Sequence, residues 1–135
     1  MNPDLLDRYI DAWRLHAHAG SPDGSAAMER LLRLVSEDVR YEDVAFELVF
    51  EGRNGMAKMC TGAYQMSNDL GFSLVNRQTA GRLFAFEYTG TGTITATGRP
   101  MEFRAVAVGS FSNDGLVNSH RDYWDKSAFL AELDG

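Results

Sequence analysis

The stretch Asn118-Ser119-His120-Arg121-Asp122-Tyr123-Trp124-Asp125 places ionisable groups in a run that alternates like a β-strand. Successive side chains of a strand point to opposite faces, so His120, Asp122 and Trp124 share one face. Because a charge buried without partners is costly, a carboxyl and an imidazole beside an indole favour the wall of a pocket. A solvated edge strand or a structural ion pair accounts for the pattern equally well.

The residues before this run predict a β-meander. Alternating patterns separated by glycine-containing breaks give four strands, at Phe72 to Gln78, Leu83 to Thr95, Met101 to Ser112 and Leu116 to Trp124. One face of the third strand carries the small residues Ala105, Ala107 and Gly109. Small residues on the inner face of a curved sheet leave room, so we expect the sheet to enclose a cavity.

The N-terminal half has helical periodicity interrupted by one short strand. A first helix is predicted from a cap at Asn2 to near Gly20, and a second from Ser25 to about Val35. The strand starts at Val39 and turns Asp43 toward the apolar side. A turn is predicted at Gly20 to Gly24, followed later by an irregular stretch that ends at Arg53. A third helix is predicted with Met56, Met59, Cys60, Ala63 and Tyr64 on one face, and a short C-terminal helix is capped by Asp125.

Helices followed by antiparallel strands are typical of an α+β domain. The length suits one hydrophobic core, so we predict a single domain over residues 1–135. In it, a cone-shaped, curved antiparallel or mixed sheet wraps around the N-terminal helices and leaves a deep pocket.

Composition narrows the set of partners. Nineteen acidic against thirteen basic residues give a net charge of -6, which disfavours nucleic acid. The single cysteine, Cys60, cannot form an intramolecular disulfide and fits a cytoplasmic location. No run has the pattern of a signal peptide or a membrane span, and no motif for a metal or a nucleotide is present, so we expect no membrane association, no metal and no cofactor.

The order of elements, with Arg121-Asp122-Tyr123-Trp124-Asp125 leading into a terminal helix, resembles the SnoaL-like proteins of the nuclear transport factor two-like superfamily. The resemblance covers nearly the whole chain. It implies the conical fold, a small hydrophobic ligand and a homodimer that pairs through the outer face of the sheet.

Three groups within that superfamily are similar at individual residues. The Arg121 to Asp125 motif resembles that of limonene epoxide hydrolase, which makes Asp122 the base that activates water, and Tyr41-Glu42-Asp43 resembles its water-orienting Tyr-x-Asn pair. Tyr88 and Gly90 stand where that family has an arginine and a second aspartate. Arg8-Tyr9 is similar to the oxyanion-hole segment of ketosteroid isomerases and Glu42-Asp43 to their proton-shuttling segment, with Ala107 near the place of their protonated acid. The SnoaL-like polyketide cyclases move a proton with one pocket aspartate, a role open to Asp122 or Asp43 with His120 as helper.

We therefore predict a cofactor-independent acid–base enzyme whose catalytic residues are Asp122, Asp43, Tyr41 and His120. Cyclisation, isomerisation and epoxide opening all remain open. The residues expected to contact the substrate are Tyr9, Trp13, Met59, Phe84, Phe86, Tyr88, Phe103, Ala105, Ala107 and Trp124. The alternative is a non-catalytic binding or oligomerisation domain, in which Asp43 and Asp122 lie far apart, are solvated or pair with arginines such as Arg104 or Arg121.

Overall fold

The computed structural model describes residues 3–19 and 25–134 of the chain. The predicted cap at Asn2 and the turn from Gly20 to Gly24 lie outside the described residues. None of the described helices is long and apolar enough to cross a membrane. The elements are α1 Pro3–Ala19, α2 Ala26–Leu32, β1 Val35–Asp43, β2 Leu48–Glu51, α3 Gly52–Met66, β3 Gly71–Ala80, β4 Leu83–Thr93, β5 Pro100–Phe111, β6 Val117–Trp124 and α4 Ser127–Asp134.

Local sequence signals set the ends of the helices. The Ser25 hydroxyl accepts a hydrogen bond from the Met28 N–H at 3.2 Å and caps α2. Gly52 has a φ of 73°, so the chain turns from β2 directly into α3 at a residue without a side chain. Asp125 accepts a hydrogen bond from the Ser127 N–H at 3.0 Å, which confirms its predicted place at the start of α4.

The strands form one curved, mixed sheet in the order β2-β1-β6-β5-β4-β3, and with the four helices this confirms the predicted α+β class. The meander β3 to β6 is antiparallel, whereas β6 pairs with β1 in parallel. This parallel pairing sets Tyr41 beside His120 and Asp43 beside Asp122. The middle of the sheet therefore joins the two segments that carry the predicted catalytic residues.

The predicted boundary between the second helix and the first strand was wrong. The helix ends at Leu32 rather than near Val35, and β1 begins at Val35 rather than Val39. The register of β1 against β6 shifts between Val35 and Arg40, and two consecutive residues in that interval are exposed. Such a bulge breaks the two-residue period on which the prediction depended. The stretch before Arg53 also contains the edge strand β2, whose short and largely exposed sequence has no alternation to reveal it.

The curved sheet encloses a cavity as predicted, but the small residues Ala105, Ala107 and Gly109 do not line it. The register of β4 against β5 sets each small residue opposite a large one: Phe84 faces Gly109, Phe86 faces Ala107, Tyr88 faces Ala105, and Gly90 faces Phe103. A Cβ added at Gly90 would lie 2.2 Å from the Phe103 ring. Rings from the neighbouring strand therefore cover Ala105, Ala107 and Gly109, and the cavity on this face is lined by those rings and by Gly90 instead.

The core consists of two clusters. The larger joins α1, α2, α3 and the centre of the sheet and includes Tyr9, Tyr41 and Phe86. The smaller, built on Ile94, Met101 and Phe129, packs α4 against the far end of β4 and β5. Side chains from both clusters line a single cavity on the inner face of the sheet. This cavity therefore lies between the two clusters.

Candidate active site

A cavity of about 130 Å3 opens on the inner face of the sheet and reaches α1 and α3. An apolar cavity of about 150 Å3 accepts a benzene molecule, so this one suits a single small ring or a group of similar size. Its surface is mostly apolar. It is lined by Trp13, Tyr41, Asp43, Met59, Ala63, Met66, Leu70, Gly71, Phe72, Phe86, Tyr88, Gly90, Phe103, His120, Asp122 and Trp124.

Four side chains form a buried chain of hydrogen bonds beside the cavity. The hydroxyl of Tyr9 lies 2.6 Å from Nδ1 of His120, and Nε2 of His120 lies 2.8 Å from Oδ1 of Asp122. The Tyr41 hydroxyl donates to Oδ2 of Asp122. His120 is 1% exposed and Asp122 is 7% exposed. Each oxygen of the Asp122 carboxyl therefore has a side-chain hydrogen-bond partner, in a site from which water is almost excluded.

Burial determines the charge states of these hydrogen-bonded side chains. It raises the pKa of Asp122 to about 8 and lowers the pKa of His120 to about 3, because the charged form of each group would be desolvated. At neutral pH the contact between them is therefore a hydrogen bond between an uncharged carboxyl and an uncharged imidazole. Burial also raises the pKa of the Tyr9 hydroxyl, which keeps its proton.

A neutral imidazole has one donor and one acceptor nitrogen, so its two partners take opposite roles. When Asp122 carries a proton on Oδ1, Nε2 accepts from it and Nδ1 donates to Tyr9. When Asp122 is ionised or carries its proton on Oδ2, Tyr9 donates to Nδ1 and Nε2 donates to Oδ1. His120 and Tyr9 can thus serve both protonation states of Asp122 without moving. The His120 ring is held by stacking on Tyr41, with 4.7 Å between the ring centroids.

Asp43 is the second carboxyl on the cavity. Its Oδ1 accepts hydrogen bonds from Nε1 of Trp124 at 2.9 Å and from the Phe46 N–H at 3.2 Å. The loop that carries Phe46 is fixed in turn by Nζ of Lys126, which donates to the Ala45 carbonyl at 2.6 Å. Both bonds to Asp43 are made by Oδ1, so neither of them occupies Oδ2.

The structure brings most of the predicted site residues to this cavity. All four predicted catalytic residues line it. Of the residues predicted to contact the substrate, Trp13, Met59, Phe86, Tyr88, Phe103 and Trp124 line it as well. Tyr9, Phe84, Ala105 and Ala107 are buried but are not among the lining residues. Tyr9 reaches the cavity through His120, and the two alanines lie opposite Tyr88 and Phe86 in the sheet.

Several residues that line the cavity were not among those predicted from the sequence to contact the substrate. These are Ala63, Met66, Leu70, Gly71, Phe72 and Gly90. A signal for two of them was available, because Ala63 and Met66 continue the helical face of Met59 at spacings of four and three. Phe72 gave no such signal, since its position over the cavity depends on how β3 follows α3.

The arrangement differs from the one expected of a non-catalytic domain. Asp43 and Asp122 are register partners on neighbouring strands, which lie about 4.8 Å apart in a sheet. Arg104 and Arg121 are exposed on the opposite face. Within residues 3–19 and 25–134, no group of three or more His, Cys, Asp or Glu side chains is arranged to hold a metal ion.

The curved α+β sheet that encloses this aromatic cavity has the fold of proteins described as ketosteroid isomerase-like and NTF2-like. The chain belongs to the SnoaL-like domain family, whose model matches residues 6–120. No curated protein matches the sequence.

Several solved structures share the fold. A protein from Catenulispora acidiphila with a ketosteroid isomerase-like fold, crystallised in complex with trimethylamine, has a TM-score of 0.79 at 18% identity, over 98% of this chain and 93% of that one. A candidate SnoaL-like polyketide cyclase from Jannaschia has a TM-score of 0.81 at 12% identity, over 100% and 96%. AclR, a candidate hydroxylase from Streptomyces galilaeus, has a TM-score of 0.74 at 18% identity, over 97% and 93%. At these identities the similarity shows the fold alone.

Proposed function

We propose that this protein is a cofactor-independent acid–base enzyme that acts on a small, largely apolar substrate. The observation that carries the proposal is the carboxyl of Asp122, buried on the wall of an aromatic cavity and held by Tyr41 and His120. A carboxyl that keeps its proton near neutral pH is suited to general acid catalysis, which works best when the pKa is close to the working pH.

In this proposal Asp122 is the acid. The Tyr41 hydroxyl borders the cavity and contacts Oδ2 of Asp122, so when the carboxyl proton lies on Oδ2, Tyr41 accepts that proton and gives its own hydrogen to a substrate oxygen. The carboxylate that remains accepts from Tyr41 and from Nε2–H of His120. Hydrogen bonds of this kind stabilise charge more strongly in a dry site than in water.

Asp43 is the base in the same proposal. Two N–H donors hold Oδ1, so Oδ2 is the oxygen that takes a proton from the substrate. Removal of a proton by Asp43 and donation of one by Asp122 turn a ketone into its enol, with the charge transferred from Asp43 to Asp122. This is the shared step of isomerisation and of carbon–carbon ring closure. The proposal is compatible with the fold, which a candidate SnoaL-like polyketide cyclase shares.

Hydrogen–deuterium exchange tests this function without knowledge of the natural substrate. Five- and six-membered cyclic ketones and 1,3-diketones are incubated with the protein in D2O, and loss of the α-proton signal is followed by NMR. We expect the protein to accelerate exchange. Asp122→Asn should lower the rate at least about a hundredfold, the usual contribution of such a group.

The control is Glu102→Gln, the same chemical change at an exposed carboxylate of β5. It should leave the exchange rate unchanged. An Asp122→Asn variant as fast as the unsubstituted protein would remove Asp122 from the mechanism. Binding of the ketones without any exchange would support the non-catalytic binding domain instead.

Epoxide opening is the second candidate, because an acid and a base on one cavity can also activate an epoxide and a water. Small cyclic epoxides incubated in 18O-labelled water distinguish the two reactions. An epoxide hydrolase incorporates the 18O label into a diol product. Enolisation of a ketone forms no diol. Tyr88 and Gly90, in place of the arginine and second aspartate of the epoxide hydrolases, favour the first candidate.

A further inference from the structure

The ionisable side chains that line the cavity include acids but no described lysine or arginine. Asp43 and Asp122 both line it, whereas its described lining includes no lysine or arginine. His120 is also present, but burial lowers its pKa to about 3 and leaves it uncharged. An anionic ligand would therefore face a carboxylate with no counter-charge, and such like-charge contacts are strongly unfavourable.

The walls of the cavity are aromatic. Seven of the lining side chains carry a Trp, Tyr or Phe ring. The face of an aromatic ring is electrically negative and attracts a cation within about 6 Å of its centre, most strongly for Trp. Two of the seven are tryptophans, Trp13 on α1 and Trp124 on β6.

One corner of the cavity combines these two features. The Trp124 indole donates to Asp43 at 2.9 Å, so the ring and the carboxylate lie side by side. Tyr88 lines the same cavity as Asp43, and burial together with the nearby charge of Asp43 raises the pKa of its hydroxyl. Phe103 packs against Trp124 with 5.1 Å between ring centroids. A carboxylate surrounded by aromatic rings is the setting in which proteins recognise ammonium groups.

We propose that this corner binds an organic ammonium group, so that the substrate is a small amine or quaternary ammonium compound with an apolar body. This proposal rests on the proposed function, because it names a class of substrate for the same cavity. A tertiary or quaternary ammonium fits best, because its methyl groups contact the rings while its charge lies near Asp43. The volume of about 130 Å3 limits the group to a few methyls and a short chain.

Three ligands of nearly equal shape test the proposal. Choline carries the cation, 3,3-dimethylbutan-1-ol replaces its nitrogen with carbon, and 3,3-dimethylbutanoate carries a negative charge. Dissociation constants are measured by NMR titration of the intact protein. We expect choline to bind at least tenfold more tightly than the alcohol, and the carboxylate to bind more weakly than either. Equal binding of choline and the alcohol would overturn the proposal, and this comparison needs no variant.

Two variants locate the charge that is responsible. Asp43→Asn keeps an Oδ1 for Trp124 and Phe46 but removes the charge, so it should lower choline binding at least tenfold and leave the alcohol unchanged. Glu42→Gln removes the same charge from the adjacent residue of β1, where Glu42 pairs with Arg40 at 3.1 Å. It should leave choline binding within twofold. An equal loss in both variants would show that only the overall charge matters and would refute the site.

The outcome is separable from that of the exchange experiment. If ketone exchange depends on Asp122 but choline is not preferred, the enzyme remains and the ammonium site is rejected. If choline is preferred and no exchange is seen with any ketone, the ammonium site remains and the acid–base function is rejected.

Discussion

Asp122 and His120 hold one proton between them near neutral pH, and this affects the stability of the fold as well as the proposed catalysis. The ordinary pKa values are 3.8 for the carboxyl and 6.5 for the imidazole. In the unfolded chain the pair therefore carries its proton on His120 between those values. In the folded protein, with pKa values of about 8 and about 3, it carries the proton on Asp122 over a wider range.

The pair predicts how stability changes with pH. Between pH 3.8 and 6.5 both states hold one proton, because the raised pKa of Asp122 and the lowered pKa of His120 compensate. From pH 6.5 to about 8 the folded pair keeps its proton after the unfolded pair has lost it, so the free energy of unfolding falls as pH rises. The decrease is about 1.4 kcal/mol per pH unit, or about 2 kcal/mol in total.

Urea unfolding at intervals across that range measures this slope. In Asp122→Asn the carboxyl cannot titrate, so the decrease from this pair should disappear. A slope that is as steep in the variant as in the unsubstituted protein would assign it to other groups.

At the scale of residues, the sequence predicted which side chains line the cavity better than which atoms they contact. Alternation along one strand is enough to place His120 and Asp122 on one face. The bond from Tyr41 to Asp122 joins residues 81 apart in sequence, so it depends on a strand register that no local pattern contains. The role of Tyr9 behind His120 was hidden for the same reason.

At the scale of elements, β4 and β5 are matched by the pairing of large with small residues. Gly109 shows why the small member is required: an added Cβ would lie 2.0 Å from the Ser119 carbonyl oxygen of β6 and 2.6 Å from the Phe84 ring. The oxygen belongs to the backbone and cannot move without disturbing the pairing of β5 with β6. This fit between three strands holds β6, and with it Asp122, in place.

We predict that Gly109→Ala destabilises the protein by about 1 to 3 kcal/mol, the usual cost of overpacking. Chemical denaturation measures the change. The matched control is Gly62→Ala on α3, where an added Cβ meets nothing within 4 Å. Alanine favours a helix more than glycine does, so this variant should be up to about 1 kcal/mol more stable. Gly109→Ala with unchanged stability would contradict the fit described for these strands.

Most elements were predicted from the sequence, and the failures have a common cause. The helices α1, α3 and α4 and the meander β3 to β6 have regular periods and glycine-containing breaks, and the predicted ends of α1 and of these four strands agree within a few residues. The bulged start of β1 and the exposed edge strand β2 have no regular period. Their structure is decided by strands that pair with them from elsewhere in the chain.

At the scale of the whole molecule, the outer face of the sheet is the surface that the family resemblance assigns to a partner copy. Tyr123 is 44% exposed and Val106 is 39% exposed on this face. They are register partners on β5 and β6. Two neighbouring large apolar side chains in the middle of an uncovered sheet are unfavourable in water.

We predict a homodimer that buries this face. The chain has a mass of 15.0 kDa, so light scattering after gel filtration should give twice that value. Val106→Glu should shift the mass toward that of one chain, because a charge would be buried at the interface. Leu48→Glu, the same kind of change on the edge strand β2, should leave the dimer intact. A monomer mass for the unsubstituted protein would refute the prediction.

The parallel pairing of β1 with β6 also affects the order in which parts of the chain fold. It joins segments about 80 residues apart, so a long loop must close before Tyr41 meets Asp122. The hairpins of β3, β4 and β5 need much shorter loops and are expected to form earlier. In a partly folded chain that has its meander but lacks this pairing, Asp43 and Asp122 are not yet on neighbouring strands. Under the proposed function, activity should therefore appear only when folding is complete, and amides of β1 that bond to β6 should be the last to gain protection from hydrogen exchange during refolding.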